Sequence, residues 1–245
     1  MSLERLEQAV KEIRIKDFSK YQKLLEIIKD PENGLGWTGK DPKDRLVIFT
    51  ERIATLDFLK KALPKDLGLK SNQIAVLHGR LSDMEQQRVV EEFGKEETPL
   101  RLLIASDVAS EGINLHFLCH RMIHFDIPWS LMVFQQRNGR IDRYGQERTP
   151  EIYYFITLSK NPKINGDMKI LHLLIQKENQ AVKNIGDPSI LMGVYDIEEE
   201  ERITARAIEE GKSPEEFDRS LESQKEKTFD PLELLMGVKE SEKGL

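Results

Sequence analysis

The chain has 245 residues, of which 39% are hydrophobic and 33% charged, and its net charge is −6 at pH 7. No stretch approaches the roughly 18 apolar residues that a membrane-spanning helix needs, and the charged first ten residues are not a signal peptide. A single cysteine, Cys119, excludes an internal disulfide and fits a reduced compartment. These features predict a cytoplasmic protein of one or two domains with no membrane partner.

The negative charge is concentrated at one end of the chain. Residues 161–245 carry 12 basic and 19 acidic groups, whereas residues 41–160 carry 17 of each. This distribution argues against a strongly basic nucleic-acid binder, and any basic surface in the central part must come from local clustering.

The N-terminal part reads as a helix followed by a linker. Apolar residues keep helical spacing within 4–30, where Ser19 is a candidate N-cap. Residues 34–43 contain three glycines and a proline and predict a loop. We therefore expect a helix and linker over residues 1–43, ahead of a domain that begins near residue 44.

From residue 45 onward, short apolar runs alternate with helical patterns. Five runs predict buried strands: residues 46–49, 73–77, 102–105, 122–125 and 152–157. Three helices are predicted between them: residues 53–64, 82–93 and 130–142, the second opened by a capping box of Ser82 and Glu85. This alternation predicts an α/β fold with a mostly parallel sheet and helices on both faces.

After residue 160 the strand patterns stop. Helices are predicted over residues 167–183, 198–210 and 214–225. The chain is thus expected to consist of an α/β domain over residues 44–160 and a helical extension over residues 161–245.

A cluster of arginines follows the last predicted helix of the α/β domain. Residues 136–146 read Q-R-N-G-R-I-D-R-Y-G-Q, with Arg137, Arg140 and Arg143 at intervals of three. A continuing helix would place all three guanidinium groups on one face, where they would suit phosphate oxygens. A solvated face, or salt bridges to Asp142 and Glu147, is the alternative.

A second polar segment directly follows the third predicted strand. Residues 106–115 read S-D-V-A-S-E-G-I-N-L. Ligands of parallel sheets bind beyond the carboxyl ends of the strands, and Gly112 would let the backbone approach a ligand closely. Asp107 and Asn114 suit a ribose hydroxyl, although such residues also simply make turns.

Four segments together carry a family resemblance. Residues 47–51, 78–82, 106–115 and 136–146 resemble, in this order, the motifs of the C-terminal lobe of superfamily 2 helicases. The last segment has the form Q-x-x-x-R-x-x-R-x-G-Q of the Swi/Snf-like ATPases, a group that includes the bacterial RNA-polymerase-associated ATPase and chromatin remodellers. The resemblance covers residues 44–158 and implies a RecA-like lobe. Asn114 departs from it, since many helicases carry an aspartate there.

The resemblance implies a two-lobe motor with ATP between the lobes and a nucleic acid, expected to be double-stranded DNA, across both. Arg140 and Arg143 would be arginine fingers that reach the γ-phosphate. The residues implied near the nucleotide are Gln136, Gly112, Asn114 and Asp107, the last of which would help couple the ATP and DNA sites. Those implied near the nucleic-acid backbone are Thr50, His78, Gly79, Arg80 and Ser110.

Two other ATP-site motifs do not occur in the sequence. There is no G-x-x-x-x-G-K-[ST] loop and no Asp-Glu-x-His box, which are the elements that hold Mg²⁺ and the β-phosphate. We therefore expect the chain to work with ATP and Mg²⁺ only together with an N-terminal ATP-binding lobe, and to be inactive without it.

Two other classes of function remain as alternatives. One is a non-catalytic protein-interaction module derived from a helicase lobe, which would have no need of both Arg140 and Arg143. The other is a small-molecule enzyme with a Rossmann-like sheet, which the lack of G-x-G-x-x-G after the first strand disfavours. The spacing of His116, His120 and His124 suggests a metal site only weakly, because no continuous helix is expected there, and we predict no metal ligands.

Overall fold

The computed structural model describes residues 14–107, 113–158 and 197–210, together with isolated helical positions at 5, 7, 12 and 216 and several between 167 and 175. The chain divides into two compact units. One comprises Met1–Pro128 and Val133–Met168, and the other comprises Trp129–Met132 and Lys169–Leu245.

The first unit contains a five-stranded sheet in which all strands are parallel. The strands are β1 (Arg45–Phe49), β2 (Ile74–Leu77), β3 (Leu102–Ala105), β4 (Cys119–His124) and β5 (Glu151–Tyr154), and their order in the sheet is β2-β3-β1-β4-β5. The predicted α/β fold is therefore confirmed. β1 is central and fully buried because strands with helices on both faces have no solvent-facing side.

Within residues 14–107 and 113–158, four α-helices accompany the sheet: α1 (Ser19–Lys29), α2 (Ile53–Leu67), α3 (Asp83–Phe93) and α4 (Leu131–Asn138). The predicted capping box is confirmed, since Ser82 Oγ accepts from the Glu85 amide at 3.4 Å and Glu85 Oε2 accepts from the Ser82 amide at 2.9 Å. The predicted N-cap at Ser19 is wrong: Ser19 is the first helical residue and Phe18 precedes it without a side-chain cap.

Alternating side chains of β1 build two apolar layers, one on each face of the sheet. On one face, Leu46 and Ile48 belong to a cluster that includes Tyr21, Leu24 and Ile28 of α1 and Leu56, Leu59 and Leu63 of α2. On the other face, Val47 and Phe49 belong to a cluster that includes Phe93 of α3 and Ile141. Burying the apolar stripe of α1 against the sheet removes it from water, which is the main stabilising contribution of this helix.

The second unit contains α5 (Ile197–Glu209), in agreement with the helix predicted over 198–210. Arg206 Nε lies 3.0 Å from Glu210 Oε1 near its C-terminal end. The helix predicted over 214–225 and much of the one over 167–183 lie outside the described residues. Among the described helices, none is long and apolar enough to cross a membrane.

Candidate functional site at the carboxyl edge of the sheet

Several residues predicted to bind ligands directly follow strands. Thr50 follows β1, His78 follows β2, and Asp107 lies two residues beyond β3. Because every strand is parallel, these positions meet at one edge of the sheet, which is the usual ligand-binding edge of such folds. Ser110 and Gly112 fall in 108–112, outside the described residues.

The prediction that three arginines share one helical face is wrong. Helix α4 ends at Asn138, four residues earlier than predicted, so Arg140 and Arg143 lie in the following turns. Arg137, the one arginine within α4, is fully buried. The three guanidinium groups therefore have different environments, and Arg137 does not belong to an exposed cationic stripe.

Arg137 forms a paired interaction with Asp107. Its Nε donates to Asp107 Oδ1 at 2.5 Å and its Nη2 donates to Oδ2 at 2.7 Å. This two-bonded geometry uses the planar fork of the guanidinium, which a lysine lacks. Burial by itself lowers the pKa of Arg137, but the hydrogen bonds and charge of Asp107, with the charge of Asp126, raise it above its ordinary value.

The remaining donor atoms of Arg137 also have partners within the first unit. Nη1 donates to the Asp126 carbonyl oxygen at 2.9 Å and contacts His124 Nδ1 at 3.3 Å. Nη2 lies 3.5 Å from Asp126 Oδ1. Of the five N–H groups of a guanidinium, four therefore donate hydrogen bonds within the protein, and Nη2 also faces the Asp126 carboxylate, so this buried side chain is engaged by the protein itself.

Burial and the neighbouring Arg137 together determine the state of His124. A guanidinium only donates, so His124 Nδ1 accepts and His124 Nε2 carries the proton toward Asn138 Oδ1, 2.9 Å away. Asn138 Nδ2 in turn donates to the Tyr154 hydroxyl at 3.1 Å. Burial and the positive charge of Arg137 lower the pKa of His124 to about 3, which keeps the ring neutral.

Arg140 and Arg143 each donate a hydrogen bond to the segment that contains Asn114. Arg140 Nη1 donates to the Ile113 carbonyl oxygen at 3.2 Å, and the Leu115 amide donates to the Arg140 carbonyl oxygen at 3.1 Å. Arg143 Nη1 donates to Asn114 Oδ1. The fold thus brings Asn114 close to the two candidate fingers, although Arg140 and Arg143 follow it by 26 and 29 positions in the sequence.

Arg143 differs from Arg137 in how its charge is compensated. Its side chain is exposed, and its hydrogen-bond partner Asn114 is neutral. Within the described part of the chain, no carboxylate forms an ion pair with it. A cation exposed with only a neutral partner is available to an anion that approaches from outside.

Thr50 is fully buried, and its hydroxyl donates to Asp126 Oδ2 at 2.5 Å. The Glu51 amide donates to the same carboxylate at 3.0 Å. A phosphate contact by the Thr50 hydroxyl would therefore require this hydrogen bond to break.

His78, Gly79 and Arg80 form a turn after β2, in which the Leu81 amide donates to the His78 carbonyl oxygen at 3.0 Å. Gly79 and Arg80 are exposed and His78 is half-buried. The turn is therefore accessible to a large ligand.

Gln136, in contrast, is half-buried on α4, next to Arg137.

Sequence reasoning missed Asp126, His124 and Asn138. Asp126 could have been found, because it is a carboxylate just beyond a buried strand, as Asp107 is. The pairing of His124 with Asn138 has no local signal, since it depends on how α4 crosses the end of β4. The three histidines at intervals of four have different surroundings: His120 neighbours Asp44, with Nδ1 3.9 Å from Oδ1, while the His116 ring is tilted by 33° against that of Phe117.

Residues 19–145, more than half of the chain, match the family described as the helicase conserved C-terminal domain. The chain belongs to this family. The resemblance inferred from the four motifs, to the C-terminal lobe of superfamily 2 helicases of the Swi/Snf-like group, is thereby confirmed.

Relatives of this helicase domain are longer proteins. The ATP-dependent helicase YqhH of Bacillus subtilis (strain 168) is 36% identical over 145 residues, which are 59% of the chain and 24% of that protein. The RNA polymerase-associated protein RapA of Vibrio campbellii (strain ATCC BAA-1116) is 32% identical over 110 residues, 45% of the chain and 11% of that protein. The helicase domain therefore matches a quarter or less of these relatives.

Two solved structures share the fold. The C-terminal part of the Fun30 ATPase domain superposes with a TM-score of 0.50 at 20% identity, over 82% of the chain and 58% of that structure. Domain 2 of the DEAD-box helicase Mss116p, bound to an RNA duplex, superposes with a TM-score of 0.51 at 18% identity, over 66% of the chain and 56% of that structure. At these identities the likeness supports the RecA-like fold alone.

Proposed function

We propose that this helicase domain is the C-terminal lobe of an ATP-dependent DNA translocase, and that it works against an N-terminal ATP-binding lobe. The observation that carries the proposal is the exposed guanidinium of Arg143, which is held in place by Asn114 and has no carboxylate partner among the described residues. Arg140 donates a hydrogen bond to the Ile113 carbonyl oxygen, next to Asn114 in the sequence.

In this proposal Arg140 and Arg143 meet the γ-phosphate of ATP bound mainly by the other lobe. ATP with Mg²⁺ supplies the phosphoryl group whose charge increases in the transition state, and fixed guanidinium groups stabilise that charge. Asn114 and Ile113 orient the two arginines before the nucleotide arrives, which avoids the entropic cost of ordering long side chains. Gln136 and Gly112 are proposed near the nucleotide.

The same proposal places duplex DNA along the turns at the carboxyl edge of the sheet. The turn of His78, Gly79 and Arg80 offers the exposed guanidinium of Arg80 to phosphates, with Ser110 proposed beside it. Such contacts give affinity without reading base sequence. The overall acidity of the chain limits this affinity, so the DNA is expected to be held mainly by both lobes together.

The proposal is tested by alanine substitution in the two-lobe protein. Arg140→Ala and Arg143→Ala should each lower DNA-stimulated turnover by about 10³-fold or more, because an arginine finger acts on transition-state charge. Lysine should rescue poorly, since it lacks the planar fork. Arg88→Ala is the matched control, because Arg88 is 80% exposed and its ion-pair partner among the described residues is Glu92 on its own helix.

The outcomes separate the proposal from its alternative. Neutral surface changes alter turnover by no more than about threefold. If both alanine variants stay within that range of the parent, the two arginines are not arginine fingers. If neither the parent nor the variants hydrolyse ATP, and the alanine variants lose binding to a partner protein, a non-catalytic interaction module is favoured instead.

A further inference from the structure

We propose that Gln146 is a positioning residue, and that its side-chain amide locks the turn that carries Arg143 onto the start of β4. The inference rests on the proposed function, because it concerns how the exposed guanidinium of Arg143 is held in place. It assigns a role to Gly145 and Gln146, the last two residues of the motif Q-x-x-x-R-x-x-R-x-G-Q, which the proposed function leaves unused.

Residues 143–146 form an exposed turn. The Gln146 amide donates to the Arg143 carbonyl oxygen at 3.1 Å, and Gly145 has a φ of 94°, in the left-handed region that favours glycine. Arg143 is exposed and Tyr144 is completely so. Because these two side chains stay in water, they give the turn no apolar anchor, and polar contacts must fix its position.

The side chain of Gln146 supplies three such contacts. Its Nε2 donates to the Cys119 and Ile141 carbonyl oxygens, each at 3.0 Å, and its Oε1 accepts from the Arg148 amide at 3.1 Å. Cys119 and Ile141 are both buried: Cys119 is the first residue of β4, and Ile141 belongs to the apolar layer beneath the sheet. A carboxamide has two N–H groups and an acceptor oxygen, so Gln146 ties the turn to two buried positions at once.

Gln146 makes the last of several contacts between two stretches of chain, the finger loop (residues 139–146) and the segment 113–119. In chain order, the neighbouring pairs are Arg140 with Ile113 and Leu115, Arg143 with Asn114, Gly145 with His116, and Gln146 with Cys119. The contact with Asn114 orients the Arg143 guanidinium, whereas Gln146 fixes the turn from which that side chain extends. A long side chain is aimed reproducibly only when its backbone is fixed, so release of Gln146 should displace the guanidinium.

A direct contact between Gln146 and a ligand fits this geometry poorly, because both of its N–H groups and its oxygen already have partners in the protein. Gln146→Glu keeps the size of the side chain, but it removes both donors and places a negative charge against two carbonyl oxygens. Gln146→Met removes the hydrogen bonds without adding a charge. The two variants together separate the loss of the contacts from the effect of the charge.

The chain contains matched controls for both residues. Gln73 is, like Gln146, a half-buried glutamine ahead of a strand, and its side chain bonds two backbone groups, at 3.5 and 2.8 Å. Gly68, which follows α2, also has a positive φ, of 67°, and room for a methyl group. Gly145 has similar room, since a Cβ there would lie 3.5 Å from His116 Nε2. Gln73→Glu and Gly68→Ala therefore make the same chemical changes elsewhere in the first unit.

The first experiment is native-state hydrogen exchange on this chain. Gln146→Glu and Gln146→Met should accelerate exchange about tenfold or more at the amides of Leu115 and of residues 140–142, whose hydrogen bonds lie along the finger loop. Amides of β1 and β3 should exchange as in the parent, and Gln73→Glu should leave the finger loop unchanged. Unchanged exchange in the loop of both Gln146 variants, or equal acceleration over the whole sheet, would overturn the proposal.

The second experiment is steady-state ATP hydrolysis by the two-lobe protein. Gln146→Glu should lower turnover about tenfold or more while the KM for ATP stays within about threefold, because a misplaced finger affects the transition state more than the ground state. Gly145→Ala and Gly68→Ala should both lower the Tm, since alanine is strained at positive φ, but only Gly145→Ala should lower turnover. A raised KM with unchanged turnover, or equal turnover in the two glycine variants, would contradict a positioning role.

A double-variant cycle separates positioning from general stabilisation. If Gln146 acts through Arg143, Gln146→Glu should have little further effect on turnover once residue 143 is alanine, because the side chain that it positions is gone. The same fold loss in both backgrounds would show that Gln146 stabilises the domain without positioning the finger. If Arg143→Ala leaves turnover unchanged in the same protein, it is the proposed function that fails, and the exchange experiment still decides whether Gln146 locks the turn.

Discussion

The Arg143 guanidinium donates a hydrogen bond to the side-chain oxygen of Asn114, 29 residues earlier in the chain. Asn114 stands where many helicases of the family carry an aspartate. A neutral partner orients the guanidinium without neutralising its charge, so the charge remains available to a phosphate.

This contact predicts that Asn114 and Arg143 act as a pair in catalysis. In the two-lobe protein, Asn114→Ala should reduce turnover less than Arg143→Ala, because the cation remains but is less well oriented. The double variant should be close to Arg143→Ala alone, since contacting residues are not additive. Turnover measured over the four-variant cycle tests this, and strictly additive losses would show that Asn114 acts independently of Arg143.

We expect no ATP hydrolysis by this chain alone. The sequence lacks the phosphate-binding loop and the acidic box that hold Mg²⁺ and the β-phosphate. Phosphate release should be measured with and without duplex DNA. Turnover above about 1 per second, in the range typical of enzymes, would contradict the view that a second lobe is required.

DNA binding by this chain alone should be weak and independent of sequence, with a Kd of about 10⁻⁴–10⁻⁶ M at physiological salt. Arg80→Ala should weaken it equally for all sequences and reduce the slope of log K against log salt by about 1. Arg88→Ala serves as the control on an exposed helix face. Binding should be followed by fluorescence anisotropy over a salt series, where a nanomolar or sequence-selective complex would be incompatible with this interpretation.

The neutral, buried His124 predicts a pH-dependent stability. Its pKa is lowered from 6.5 to about 3 by burial and by the charge of Arg137. The unfolded state therefore binds the proton first, and the free energy of unfolding should fall as the pH falls from about 6.5 toward about 3. The slope approaches about 1.4 kcal/mol per pH unit for one group.

Urea unfolding of the chain at pH 7 and pH 5, with His124→Gln as the comparison, isolates this contribution. His116 and His120 also have pKa values lowered by burial, but they are common to both proteins and cancel in the difference. An identical pH dependence in the two proteins would mean that His124 does not control the change.

Much of the fold could be predicted from the sequence because it depends on local pattern. The apolar run before Thr50 predicted β1, and the capping box of Ser82 and Glu85 predicted where α3 begins. The alternation of strand and helix patterns along the chain predicted that the strands pair in parallel. Two helix boundaries differ from the prediction: α2 continues through Pro64 and α4 ends before Gly139, because packing and turns override helical spacing there.

By itself, then, the sequence determined the class of fold, the helicase family and the identity of the charged residues near the site. Only the tertiary structure decided the burial and the partners of each arginine. Spacing of three in sequence treats Arg137, Arg140 and Arg143 alike, but the strand ends enclose Arg137 between Asp107 and Asp126 and leave Arg143 exposed beside neutral Asn114. The physical reason is that burial and charge pairing depend on residues 11 to 30 positions away, which the folded sheet brings together and no local pattern encodes.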